Sequence, residues 1–137
     1  MPTRTNAVEL IFDGGSHGNP GPSYGSYVIR GMPGGGKNPA RLKLKHGTNN
    51  EAEYRTLIAG IEAVLAQAEE RDLEPAEIEL LLRGDSNLVL KQMEGVWKAK
   101  DARMRALRDQ ARSLLKPFAR VRYQHQPRSK SVRVLGH

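Results

Sequence analysis

Val8-Glu9-Leu10-Ile11-Phe12-Asp13-Gly14-Gly15 is the stretch on which the reading of this chain turns. A short apolar run bounded by glycines reads as a buried strand over residues 7–12. Asp13 interrupts that run. Two further acids occupy comparable places. Asp85 closes the apolar run from Ile78 to Leu82 and precedes Ser86, and Glu53 lies one turn inside a helical pattern that opens Thr48-Asn49-Asn50. Acids at strand ends and at a helix start can converge on one edge of a sheet. Converging carboxylates repel one another, and such a cluster usually implies bound divalent metal.

Outward from that stretch the periodicities predict a complete α/β domain. Ser23 to Arg30 reads as a second strand, and the Gly-rich turn Gly31 to Gly36 leads to a third, Ala40 to Lys45, with apolar and basic residues alternating. The three form an antiparallel meander with one wet face. Leu57, Ile58, Ile61, Val64, Leu65 and Ala68 then make a helical stripe, with Asn50 as the expected N-cap and Glu53 three residues on. Residues 77–83 read as a fourth strand. A helix separates it from the third, so it can lie parallel to the first. Asn87 to Glu94 and Asp101 to Leu115 read as helices, and Ala119 to Tyr123 as a fifth strand. After Pro127 the pattern fades into a polar, basic end. The expected fold is a mixed five-stranded sheet flanked by helices, as one domain over residues 1–137, with 128–137 a flexible or altered basic segment. In such sheets ligands sit beyond the carboxyl ends of the parallel strands. Asp13 and Asp85 fall there, and they face each other if the first and fourth strands are neighbours.

Composition narrows the function classes. At 137 residues the chain holds one domain with a real core, and without cysteine it has no disulfide, thiolate zinc site or cysteine nucleophile. No apolar stretch approaches membrane-spanning length, and the N-terminus lacks a signal-peptide core. A soluble cytoplasmic protein with no membrane partner is expected, and nothing demands more than a monomer. The formal charge is +7, and no acid follows Asp109, so the whole excess lies in the last 28 residues. A basic segment of this kind suits a polyanion such as nucleic acid, or is an ordinary solvated tail.

The segment Phe12-Asp13-Gly14-Gly15-Ser16-His17-Gly18-Asn19-Pro20-Gly21-Pro22, with Thr48-Asn49-Asn50-Glu51-Ala52-Glu53 and Gly84-Asp85-Ser86, closely resembles the type 1 ribonuclease H family. The resemblance runs from about Ala7 to Arg128. Residues 92–100 look like its compact bacterial and archaeal members. It implies the ribonuclease H-like fold and a metal-dependent endonuclease that hydrolyses the RNA strand of RNA–DNA hybrids. Asp13, Glu53 and Asp85 would hold two Mg²⁺ or Mn²⁺ ions, with Asp13 bridging. Ser16, Asn19, Asn50 and Asn87 would face the minor groove of the hybrid, and Thr48 and Asn49 would seat a phosphate or neighbouring nucleotide. Trp97 with Lys98 and Lys100 would pack on sugar and pair with phosphates, and Arg128 belongs to the same surface. His125 is a candidate proton shuttle by analogy, and His17 an exposed loop residue.

Each assignment has a plainer competitor. Glu53 could complete a capping box with Asn50, Asp13 could form a turn, and Asp85-Ser86 could cap the following helix. Ser16, Asn19 and the asparagines could do turn and cap work. Trp97 could close the core, and His125 could be a solvent-exposed strand end.

The resemblance also breaks. The family pattern Pro-Arg-x-x-Asn-x-x-Ala-Asp meets Pro127-Arg128-Ser129-Lys130-Ser131-Val132-Arg133-Val134-Leu135 here, so Leu135 stands where a fourth acid is expected. The chain then stops at His137, before the helix that normally follows. Three explanations compete. The His137 carboxylate folds back as a ligand, or water and substrate phosphates complete a slow site. In the third, the altered end leaves a non-catalytic module that binds RNA–DNA hybrid or double-stranded RNA. A weakened nuclease is the favoured expectation.

Overall fold

The computed structural model describes residues 5–36 and 38–135, with residues 131–134 described by backbone. The strands are β1 (Asn6–Ser16), β2 (Gly21–Arg30), β3 (Ala40–Gly47), β4 (Ile78–Gly84) and β5 (Arg120–His125). They form one sheet in the order β3-β2-β1-β4-β5. β1, β2 and β3 pair antiparallel, and β4 pairs parallel to both β1 and β5. The predicted mixed sheet is therefore the observed one.

The helices are α1 (Asn49–Glu70), α2 (Asn87–Glu94), α3 (Ala102–Leu115) and α4 (Arg128–Leu135), with a 3₁₀ turn at Pro75–Glu77. Alternation along the strands sends Leu10, Phe12, Leu80 and Leu82 into one core with Leu57, Ile61 and Val64 of α1 and Leu90 and Met93 of α2. The opposite face carries a smaller apolar cluster of Ile11, Val28 and Leu135. Beside Leu81, that face carries ion pairs: Arg83 pairs with Glu9 at 2.8 Å and reaches Gln124, while Arg120 and Arg122 lie 3.8 and 3.7 Å from Glu79.

Three expectations change. β1 does not end at Phe12 but continues through Gly14 and Gly15, which pair with Gly25 and Tyr24 of β2. What ends at Phe12 is its pairing with β4. The cap of α1 is Thr48 rather than Asn50. The Thr48 side chain accepts from the Glu51 N–H and the Glu51 carboxylate accepts from the Thr48 N–H, a complete capping box two residues earlier than expected. Finally, the stretch from Arg128, read as patternless, is helical, and Leu135 at its end sits in an apolar cluster that no local period announces.

Candidate metal and nucleic-acid site

The pairing register sets two of the acids. Phe12 and Gly84 are the last partners of the β1–β4 ladder, so Asp13 and Asp85 are the next residue on each of two neighbouring strands. The third acid comes from α1. Once Glu51 takes the capping role, Glu53 is released from it and turns inward, where it is only 6% exposed. Its Oε1 accepts the Gly14 N–H at 3.1 Å. That approach needs glycine: a Cβ on Gly14 would lie 2.6 Å from the Ala52 backbone. The first turn of α1 thus rests directly on β1, and one carboxylate oxygen from each of Asp13, Glu53 and Asp85 lies within 4.8 Å of the others.

The electrostatics of this cluster are unfavourable without a cation. Burial, then the hydrogen bond and charge of Asp13, raise Glu53 well above the ordinary carboxyl range, and donation from Gly14 only partly opposes this. Asp85 is also raised, by burial and by Asp13, with the Arg128 guanidinium acting in the other direction. Glu53 Oε2 is buried without a hydrogen-bond donor. The adjacent Asp13 carboxylate can serve it only if one of the two is protonated. A hard divalent cation satisfies the same oxygens without a proton, and three convergent carboxylates are a donor set that suits it. The residues present fit a metal.

The acids open onto a cleft of about 430 Å³ whose wall includes Gly15, Ser16, Tyr24, Asn49, Asn50, Ser86 and Arg128. Ser16 donates through its N–H and hydroxyl to Asn49 Oδ1, at 2.9 and 3.1 Å, and Asn19 Oδ1 accepts the Asn49 N–H at 3.0 Å. These side chains therefore do knit the β1–β2 turn to the start of α1, as the plainer reading held, and they do so at the rim of the cleft. Asn50 also borders a second depression of about 290 Å³, shared with Asn19, Thr48, Asp101 and Arg103. The helix cap at Ser86 uses its hydroxyl toward the Val89 N–H, which leaves the Asp85 side chain free of capping. Asn87 opens α2 on the exposed side.

Trp97 is 44% exposed, so it does not close the core. Its loop is nonetheless fixed from behind. Gln92 holds the Lys98 carbonyl, and Arg105 holds those of Ala99 and Lys100, leaving the Lys98 and Lys100 side chains outward. Gly95, at φ 84°, ends α2 in the left-handed conformation and starts this loop. His125 is exposed at the end of β5, with Nε2 3.1 Å from the Asp85 carbonyl oxygen. The basic excess is scattered rather than continuous: Arg112 binds the Gln92 and Met93 carbonyls, and Arg120 and Arg122 face Glu79. Arg128 alone of these lines the cleft.

Leu135, at the position where the resemblance places a fourth acid, is fully buried against Ile11 and Val28. A carboxylate ligand from His137 lies outside the described residues. Two residues of these clefts were missed in the sequence. Tyr24 enters only through its register opposite Gly15, and its ring meets His17 at 5.0 Å. Arg103 enters only because α3 begins beside α1.

The reverse transcriptase-like family model matches residues 11–134. Superposition on the crystal structure of RNase H1 from Halobacterium salinarum gives a TM-score of 0.78 at 38% identity, covering 93% of this chain and 91% of that one. The chain belongs to the type 1 ribonuclease H family. In sequence it is 39% identical to the ribonuclease HI of Halobacterium salinarum over 133 residues, 97% of this chain, and it spans 63% of that protein's length. LC11-RNase H1, solved in complex with RNA/DNA hybrid, gives a TM-score of 0.80 at 29% identity, covering 93% of this chain and 90% of that one. The ribonuclease H fold thus accounts for the strand order and for the mix of parallel and antiparallel pairing. Among the described residues, no helix is long and apolar enough to cross a membrane.

Proposed function

We propose that this chain is a metal-dependent endoribonuclease that hydrolyses the RNA strand of RNA–DNA hybrids, weakened by the lack of a fourth carboxylate. The observation that carries the reading is the buried, orphaned Glu53 Oε2 beside Asp13 and Asp85 at the floor of an open polar cleft. Burying acids this way is costly, and a structural role gives no return for it. A family relative solved with RNA/DNA hybrid supports the substrate class.

Asp13, Glu53 and Asp85 would hold Mg²⁺ or Mn²⁺. When two such ions are bound, they supply an activated water and relieve charge on the leaving 3′ oxygen, giving 5′-phosphate and 3′-hydroxyl ends. The chain's own groups do the rest. Gly14 lets the first turn of α1 rest on β1 and so brings Glu53 to the site, and Gly15, against the Tyr24 hydroxyl, lines the cleft along which phosphodiester backbone would pass. Ser16 and Asn19, tied to Asn49 by hydrogen bonds, and Asn50 at the start of α1 would face a wide A-like minor groove with 2′-hydroxyls, while Asn49 would help seat a phosphate or neighbouring nucleotide. Thr48 borders the second depression, where a phosphate of the other strand would sit. Arg128 adds a guanidinium for phosphate, Trp97, Lys98 and Lys100 a sugar and phosphate contact, and Asn87 a further groove contact. His125, whose Nε2 lies 3.1 Å from the Asp85 carbonyl oxygen, would hand a proton to the departing product.

Leu135 favours a second reading, a non-catalytic module that binds hybrid or double-stranded RNA on the same surface. Cleavage of a hybrid labelled on the RNA strand, with Mg²⁺ or Mn²⁺ and an Asp13→Asn control, separates the two. Metal-dependent cutting lost in the control is expected. Binding without cutting at any metal concentration would establish the module instead.

A further inference from the structure

We infer that Leu135 is a positioning residue: by seating α4 on Ile11 and Val28, it holds Arg128 in the carboxylate cleft, poised for a nucleic-acid phosphate. The inference rests on the proposed function for its ligand and on α4 itself for its geometry. Arg128 and Leu135 are seven residues apart, close to two full turns, so they lie on one face of α4 about 10 Å apart along its axis. That face meets the sheet. Leu135 reaches the apolar cluster two residues before Asp13 on β1, and Arg128 reaches the cleft beyond the strand ends.

Nothing local makes this helix stable. Eight residues are too few to hold a helix by propensity in water. No acid lies in its first turn, and Arg128 and Lys130 put positive charge at the positive end of the helix dipole. The start of the segment is pinned, since the Gln126 N–H donates to the Gly84 carbonyl at 2.8 Å and His125 reaches the Asp85 carbonyl. Its far end, among the described residues, is held by the fully buried Leu135. Without that seat the segment keeps its pivot at Gln126 but loses the contact that orders the helix and aims Arg128. The unfavourable placement of Arg128 is offset by the carboxylates it faces.

The test is hybrid binding, read by anisotropy over a salt series, in an Asp13→Asn background that stops cleavage. Arg128→Ala should reduce the slope of log affinity against log salt by about one. Leu135→Ala should reduce it by the same amount, the double variant should go no further, and Leu135→Met should restore the parent slope. Circular dichroism melting verifies that each variant is folded. A parent slope in folded Leu135→Ala, or losses that add in the double variant, would overturn the inference. A parent that does not bind hybrid at all would instead sink the functional reading on which it rests.

Discussion

The two faces of the sheet are built on different physics. The face under α1, α2 and α3 is apolar from Val8 to Phe118 and supplies the main core. The opposite face has Ile11, Val28 and Leu135 as its apolar cluster, beside the ion pairs of Glu9 with Arg83 and of Glu79 with Arg120 and Arg122. Packed apolar surface dominates folding free energy, whereas exposed ion pairs contribute little. Asp13 and Glu53 reach the site from opposite faces: alternation puts Asp13 on the face of Ile11, and Glu53 descends from α1. The two faces thus meet at the cleft: Glu53 comes from the helix-covered side, and Asp13 and Arg128 from the other.

The contrast is broken most directly by truncation on each side. Phe12→Ala should cost about 3–5 kcal/mol in urea unfolding, and Leu135→Ala only about 2 kcal/mol. Equal losses would mean that the faces carry equal weight. Gly14→Ala tests the junction between them. Its Cβ meets the α1 backbone, so a loss of about 1–3 kcal/mol is expected together with loss of cleavage, because Glu53 is pushed from its Gly14 contact. Retained cleavage at wild-type metal concentration would show that the contact is not needed.

A pH series sharpens the electrostatic side. Glu53 and Asp85 have folded pKa values raised above their ordinary 4.5 and 3.8. Between the ordinary and raised values the folded state binds more protons than the unfolded one. Stability from these groups therefore falls as pH rises through that window. In metal-free protein, Glu53→Gln should gain melting temperature relative to wild type as the pH climbs. Added Mn²⁺ should recover the difference for wild type at neutral pH. A pH-independent difference would contradict the crowding of acids. The smallest stability effect is at the exposed loop: Trp97→Ala should change unfolding by less than about 0.5 kcal/mol, yet weaken hybrid binding by about tenfold. Unchanged binding would remove Trp97 from the interface.

Much of this was readable in the residues. The apolar stripe of α1 and the alternation of β3 reflect which side of each element is buried, and burial writes itself into period. Asp13 and Asp85 stood out because charge at the end of an apolar run conflicts with its surroundings, and Glu53 because it sits at the start of a helical pattern. The cap of α1 was misread because Thr48-x-x-Glu51 and Asn50-x-x-Glu53 are both capping boxes in sequence, and only contact with β1 decides which glutamate turns inward. Trp97 left two readings open, surface contact or core closure, because hydrophobicity alone does not say that a tethered loop faces outward, and its 44% exposure removes the second.

The sequence by itself determined the kinds of element and the presence of an acidic trio, since these follow from local periodicity and residue identity, and the family resemblance marked Leu135 as the place where a fourth acid is expected. Tertiary structure decided what no local window contains. The β1–β4 register makes Asp13 and Asp85 neighbours, and the close approach at Gly14 brings Glu53 to them. The second face of the sheet buries Leu135 against Ile11 and Val28. Each depends on residues distant in the chain, whose free energy of contact exists only once the sheet has formed.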